Sequence, residues 1–156
     1  MNGLKGGDGM FEARERIVVK AAPEEILEFV ADFRRYAEAD TKITRVREAH
    51  RDGNTGHVRH AGRLRGFPGP MLTSYFEIDP GRSLTVRADH PMLRLEGGVT
   101  CTPADGDTLV EHWERLSFRG PLRWIADPLF RRWHREDLKG EIRRLKTIVE
   151  SPVRAA

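Results

Sequence analysis

DPLFRRWHREDLKGEIRRLKTIVESP, residues 127–152, reads as one long helix. Asp127 is a good N-cap, and Pro128 fits the first helical position, where its missing N–H has no intrahelical partner to lose. Phe130, Leu138, Ile142, Leu145, Ile148 and Val149 line one face, and Ser151-Pro152 stops the run near Glu150. A helix of about 23 residues is roughly 35 Å long, enough to cross a seven-stranded sheet. The apolar stripe therefore predicts the buried face of a sheet as its partner. Gly140, mid-helix, costs up to about 1 kcal/mol against alanine. It marks either a close approach of ligand or sheet, or drift.

The preceding chain supplies that sheet. From Thr41 to Phe118, turn signals fall at Asp52-Gly53-Asn54, Gly66-Phe67-Pro68-Gly69-Pro70, Asp79-Pro80-Gly81, His90-Pro91 and Asp105-Gly106-Asp107, delimiting six strands in a meander of hairpins. Leu72, Ser74, Phe76 and Ile78 share one face, as do Leu84, Val86 and Ala88, with polar residues between them, so one face is wet and one buried. A seventh strand precedes these, spanning Phe11 to Lys20 with the β-branched run Ile17-Val18-Val19. Pro23, Glu24 and Glu25 then open a short helix carrying Ile26, Leu27, Phe29, Val30 and Phe33 on one face. A second short helix or turn follows through Arg34 to Ala39. The expected class is α+β: two short helices after the first strand, then a seven-stranded antiparallel sheet wrapped around the long C-terminal helix.

Composition narrows the functional classes. A chain of 156 residues is the size of one domain, expected over residues 11–151, with tails at 1–10 and 152–156. No apolar run approaches the roughly 20 residues a bilayer span needs, and the Gly-rich start lacks a signal-peptide core. The lone Cys101 excludes an internal disulfide and makes the cytoplasm the default compartment; its register with apolar residues makes it a small buried hydrophobe. Against 27 basic residues stand 24 acidic ones, spread along the chain, for a net charge of +3. Without a basic stripe interleaved with aromatics, no nucleic-acid partner is expected. Oligomeric state is left open.

The element order resembles that of the START-like, or Bet v 1-like, superfamily, which includes polyketide cyclases and dehydrases. Several phrases carry the resemblance: Ala22-Pro23-Glu24-Glu25-Ile26 at the first helix, Ala31-Asp32-Phe33 through Tyr36 at the helix junction, Ile78-Asp79-Pro80-Gly81-Arg82-Ser83-Leu84 at a hairpin, and Asp105-Gly106-Asp107-Thr108-Leu109-Val110 before the last strand. Gly81 stands where the family pattern has a second proline. The resemblance covers about residues 11–151. It implies a helix-grip fold with a cavity between sheet and long helix, but not an activity, because carriers, receptors and enzymes share the fold.

Alternation selects the residues facing that cavity. Val110, Leu116 and Phe118 set a register that turns His112 and Glu114 inward, and Val58 and Leu64 do the same for His60, leaving Arg59, Arg63 and Arg65 to solvent. On the helix, His134 lies between Phe130 and Leu138, with Glu141 near the same stripe. Buried polar groups must satisfy one another, water or a ligand, so His112, Glu114 and His134 are the candidate acid–base or ligand-orienting groups. A structural role for them, or exposure through a register slip, is the competing reading. The expected walls are Leu72, Phe76, Val86, Leu95, Leu138 and Ile142, with Phe67 as a gate at the mouth. Trp124 and Trp133 are expected to pack the start of the helix onto the sheet. A set of His60, His112 and Glu114 matches a two-histidine, one-carboxylate metal site, but the resemblance implies no metal, and no cofactor is expected. The functional expectation is binding of a hydrophobic small molecule, polyketide, aromatic or lipid-like, by a cyclase or dehydratase. The alternatives are a non-enzymatic lipid or quinone carrier and a protein-interaction module.

Overall fold

The computed structural model describes residues 10–151, so the two expected tails lie outside the described residues except for Met10. The elements run β1 (Phe11–Val19), α1 (Pro23–Ala31), α2 (Phe33–Tyr36), β2 (Ile43–Asp52), β3 (Thr55–Leu64), β4 (Phe67–Pro68), β5 (Leu72–Asp79), β6 (Ser83–Asp89), β7 (Leu93–Ala104), β8 (Asp107–Phe118) and α3 (Leu122–Val149). The strands form one antiparallel sheet in the order β1-β8-β7-β6-β5-β3-β2. The two-residue β4 pairs only with β3. This is the expected helix-grip α+β architecture. The edge strand β2 is protected by two register breaks and by the exposed charges of Arg45, Arg47 and Arg51.

Local chemistry explains the helices. Pro23 opens α1 with Glu24 and Glu25 in its first turn, and Asp32 caps α2 by accepting from the Arg35 N–H. The long helix departs from the sequence expectation at its start. It begins at Leu122, about one and a half turns before Asp127-Pro128. Gly120, at φ 63°, turns the corner and Pro121 occupies the N-cap. Pro128 is therefore interior, where a missing N–H removes a single i→i−4 bond and the helix continues. The Asp127 carboxyl caps nothing: its Oδ1 is buried without a hydrogen-bond partner.

Two further readings change. Trp133 packs on Phe130 as expected, but Trp124 is 73% exposed and packs against no core. At Gly140 the nearest atoms to an added Cβ belong to the Arg144 guanidinium rather than to the sheet, and that side chain reaches past to the Ala39 carbonyl.

The interior is divided. One apolar cluster joins α1, α2 and the far ends of the strands to Leu145 and Val149 of α3. A second gathers Phe11, Leu93, Leu116, Phe118 and Ala126 around Phe130. Between these anchors α3 carries His134, Asp137 and Glu141, so the inward polar residues of the long helix fall between its two apolar ends.

Candidate functional site

The site is built around one ammonium. Lys42, in the segment joining α2 to β2, turns inward and is buried. Its Nζ lies 2.7 Å from Asp137, 2.8 Å from Glu141, 3.0 Å from Asp40 and 3.6 Å from Glu114. The Tyr36 hydroxyl donates to the other oxygen of Glu141 at 2.5 Å. His134 Nε2 meets Glu114 Oε1 at 2.9 Å, and His112 Nδ1 lies 3.4 Å from Glu141 Oε1 without forming a hydrogen bond. Loop, last strand and long helix thus each supply part of one buried charge cluster.

Burial and charge shape the titration of its members. Burial would lower the Lys42 pKa, but the surrounding carboxylates outweigh it and hold the ammonium charged. Burial pushes Asp40 up to about 7, with Glu141 adding to it and Lys42 opposing. Glu141 is also raised, mainly by burial. In Glu114, Lys42 and the His134 contact overcome desolvation and bring the carboxyl down to about 2. Burial lowers His112 to about 4, so its ring is neutral near neutral pH. The cluster therefore combines a fixed cation, a fixed anion and a carboxyl that changes state near neutrality.

An apolar cavity of about 90 Å³ stands on this floor. Leu72, Val86 and Leu95 line its wall as expected, with Leu84, Leu93 and Leu116. His60, His112, Glu114 and Glu141 reach it, as do Tyr36, Asp40, Lys42 and Ser74. His60 stands apart from the cluster: its Nε2 is 2.7 Å from Ser74 Oγ, and burial lowers its pKa to about 4.

Several expected site residues lie elsewhere. Phe76 is buried but stacks on Phe33 at 6.3 Å, behind the wall. Leu138 and Ile142 are buried away from the cavity, and His134 sits behind Glu114 against the Phe11 ring. Phe67 lies outside the cavity wall, 54% exposed, edge-on to Phe130. Gly62, Arg63 and Leu64 on β3 and Gly69-Pro70 after β4 line the cavity in its place.

The residues that sequence reasoning missed are Tyr36, Asp40, Lys42, Ser74 and Asp137. Ser74 shared a face with Leu72 and Phe76, so the register already contained it. Tyr36 ends the single turn of α2, and Asp40 and Lys42 follow in an irregular link, so none of the three carried a periodic signal.

Among the described residues His60 does not join His112 and Glu114 in a set of possible metal ligands; its Nε2 lies against Ser74 instead. His112, Glu114 and Glu141 do bring three possible ligand atoms within 4.8 Å of one another, as do Asp40, Asp137 and Glu141. In both sets Lys42 contacts the carboxylates, so the chain itself already provides a cation there.

Comparison with known proteins agrees with this architecture. No curated protein matches the sequence. An aromatase/cyclase from Streptomyces sp. R1128 superposes with a TM-score of 0.79 at 18% identity, over 94% of this chain and 97% of its own. A STAR-related lipid transfer protein from Xanthomonas axonopodis gives 0.73 at 15% identity, over 96% and 90%. A START superfamily protein from Mycobacterium smegmatis gives 0.72 at 17% identity, over 89% and 97%. The model of the polyketide cyclase/dehydrase and lipid transport family matches residues 10–150, and the chain belongs to that family.

Proposed function

We propose that this chain binds a hydroxylated lipophilic molecule in the cavity and acts on it by general acid–base chemistry, as a cyclase or dehydratase. The observation behind this reading is an apolar cavity that ends on a buried acidic floor. A buried cluster of four carboxylates around one lysine opposes stability unless it serves another purpose. On that floor the Lys42 ammonium faces carboxylates on every side and the Tyr36 O–H is engaged by Glu141. What the floor offers a ligand is mostly acceptor oxygen. A hydroxyl, enol or phenol fits it, whereas a carboxylate or phosphate head group meets repulsion.

In dehydration of a β-hydroxy ketone, neutral His112 takes the α-proton while protonated Asp40 delivers one to the departing hydroxyl. The C–O bond breaks, a C=C bond forms, water leaves, and proton transfer from His112 to Asp40 restores both groups. The supporting feature is an Asp40 pKa of about 7, where a carboxyl serves as acid and base alike. A carrier would use the same cavity without proton transfer, a reading favoured by the engagement of both Glu141 oxygens by Tyr36 and Lys42. A cytoplasmic setting fits the buried, unpaired Cys101. Nucleic acid has no place in this reading, since its phosphates would meet the repulsion of the acidic floor.

The test uses three phenyl compounds of matched size, titrated calorimetrically: phenylethanol, phenethylamine and phenylacetate. Phenylethanol and phenethylamine should bind at least about tenfold more tightly than phenylacetate, the scale of one charge-assisted contact made or opposed. Turnover is read on the β-hydroxy ketone from benzaldehyde and acetone, whose dehydration to benzylideneacetone is followed by ultraviolet absorbance. Acceleration that disappears in Asp40→Asn supports the enzyme. Binding without turnover assigns a carrier, and failure of all three compounds to bind removes the cavity reading.

A further inference from the structure

The outer surface at the end of the cavity lined by Arg63, Leu64 and Pro70 is as unusual as the floor. Eight large apolar side chains are exposed among the described residues, and six of them, Phe67, Met92, Leu122, Trp124, Ile125 and Leu129, gather at this end. Three contacts establish that they adjoin: Phe67 lies 6.0 Å from Phe130, Arg65 donates to the Leu129 carbonyl at 2.9 Å, and the Arg119 N–H donates to the Met92 carbonyl at 3.0 Å. Trp124 and Ile125 are 73% and 71% exposed on the first turns of α3. Such a concentration of exposed apolar side chains on one face marks an interaction surface.

Charge identifies what it meets. The segments 63–70, 89–92 and 119–132 contain Arg63, Arg65, Arg119, Arg123, Arg131 and Arg132 against only Asp89 and Asp127. Among the described residues Asp89 pairs with Arg119, and no ion pair engages Arg63, Arg65, Arg123, Arg131 or Arg132, so this end carries an excess of positive charge. Shape narrows the choice further. The exposed apolar side chains come from two loops and the start of α3. An end bearing exposed tryptophan and aliphatic side chains together with an excess of arginines suits a fluid, anionic, planar partner.

We propose that this end of the molecule docks on an anionic lipid surface, with Trp124, Ile125 and Phe67 entering the acyl boundary and the arginines meeting head-group phosphates. Arg63 also borders the cavity, so docking brings that end of the cavity to the lipid and gives an apolar ligand a path that avoids water. The proposal stands on the outer surface and does not depend on what the cavity does.

The experiment is sedimentation of the full chain with vesicles of phosphatidylcholine alone or mixed with phosphatidylglycerol at seven parts to three. At about 100 mM salt the protein should sediment with the mixed vesicles and not with phosphatidylcholine, and should be released at about 500 mM, where screening extends to a few Å. Trp124→Ser with Ile125→Ser should weaken the partition at least about tenfold, since it removes buried apolar area from the bound state. Brominated acyl chains should quench the wild-type fluorescence, and Trp124→Phe should keep the partition while losing that quenching. A wild-type protein that ignores mixed vesicles overturns the proposal and makes an acidic protein the occupant of the patch. Equal partition of the double variant overturns it as well.

Discussion

Replacing Lys42 by methionine tests the central arrangement of the site. The substitution keeps length and apolar stem but removes the one positive charge beside Asp40, Glu114, Asp137 and Glu141. Removing one partner of a buried ionic network costs about 3–5 kcal/mol, because the charges left behind have neither water nor counter-ion. At this chain length each kcal/mol moves the midpoint by about 2–4 °C, so Tm should fall by about 6–20 °C at pH 8. The sign with pH follows from the carboxyls. Without Lys42, the folded-state pKa values of Asp40 and Glu141, already raised by burial, rise further above their ordinary 3.8 and 4.5. A carboxyl raised on folding contributes stability that is complete below its unfolded pKa and lost as pH climbs through its folded one. The deficit of Lys42→Met should therefore be largest at pH 8 and shrink toward pH 5, as protons replace the ammonium. Circular dichroism melts of both proteins from pH 5 to pH 8 measure it. A deficit that does not vary with pH, or no deficit, would refute the reasoning that these carboxylates are buried anions neutralised by Lys42.

The remaining expectations concern single side chains. His112→Ala should weaken phenylethanol binding by about 1–3 kcal/mol, the range for one buried polar contact unmade, while leaving the melt largely unchanged; unchanged affinity with a large loss of Tm would assign His112 to structure instead. Gly62→Ala should destabilise the fold by more than about 3 kcal/mol or prevent soluble expression, since its Cβ would fall 1.4 Å from the Lys42 carbonyl oxygen. A well-folded Gly62→Ala protein, tested by thermal melt, would show that β2 can move away from β3 at the cavity edge.

Alternation and helical spacing made much of this legible, because a residue's face is fixed by its distance in sequence from apolar neighbours. The spacing of Val110, Leu116 and Phe118 is enough to turn His112 and Glu114 inward, and both are buried. The spacing of Phe130 and Leu138 does the same for His134. Asp40 and Lys42 follow no period. Their inward direction is imposed by tertiary contact with α3, and a solvated charge pair in a loop reads identically. The helix start was misread for a related reason: Asp127-Pro128 has the chemistry of a boundary, but Gly120-Pro121 has it too. Leu122, Trp124 and Ile125 point to solvent and break the apolar stripe that would have extended the helix to them.

Placing the counter-ion on the chain itself constrains which parts of the sequence can change length. Tyr36 ends α2, and Asp40 and Lys42 come from the stretch that links it to β2. One residue inserted between Ala37 and Thr41 would change the phase of this short link and carry the ammonium away from partners on α3 and β8. The hairpin tips at Gly53 and Gly106 hold no member of the cluster, and an added Cβ there would meet nothing within 4 Å. Added residues should therefore be tolerated at those tips, whereas the link between α2 and β2 needs its count of residues kept.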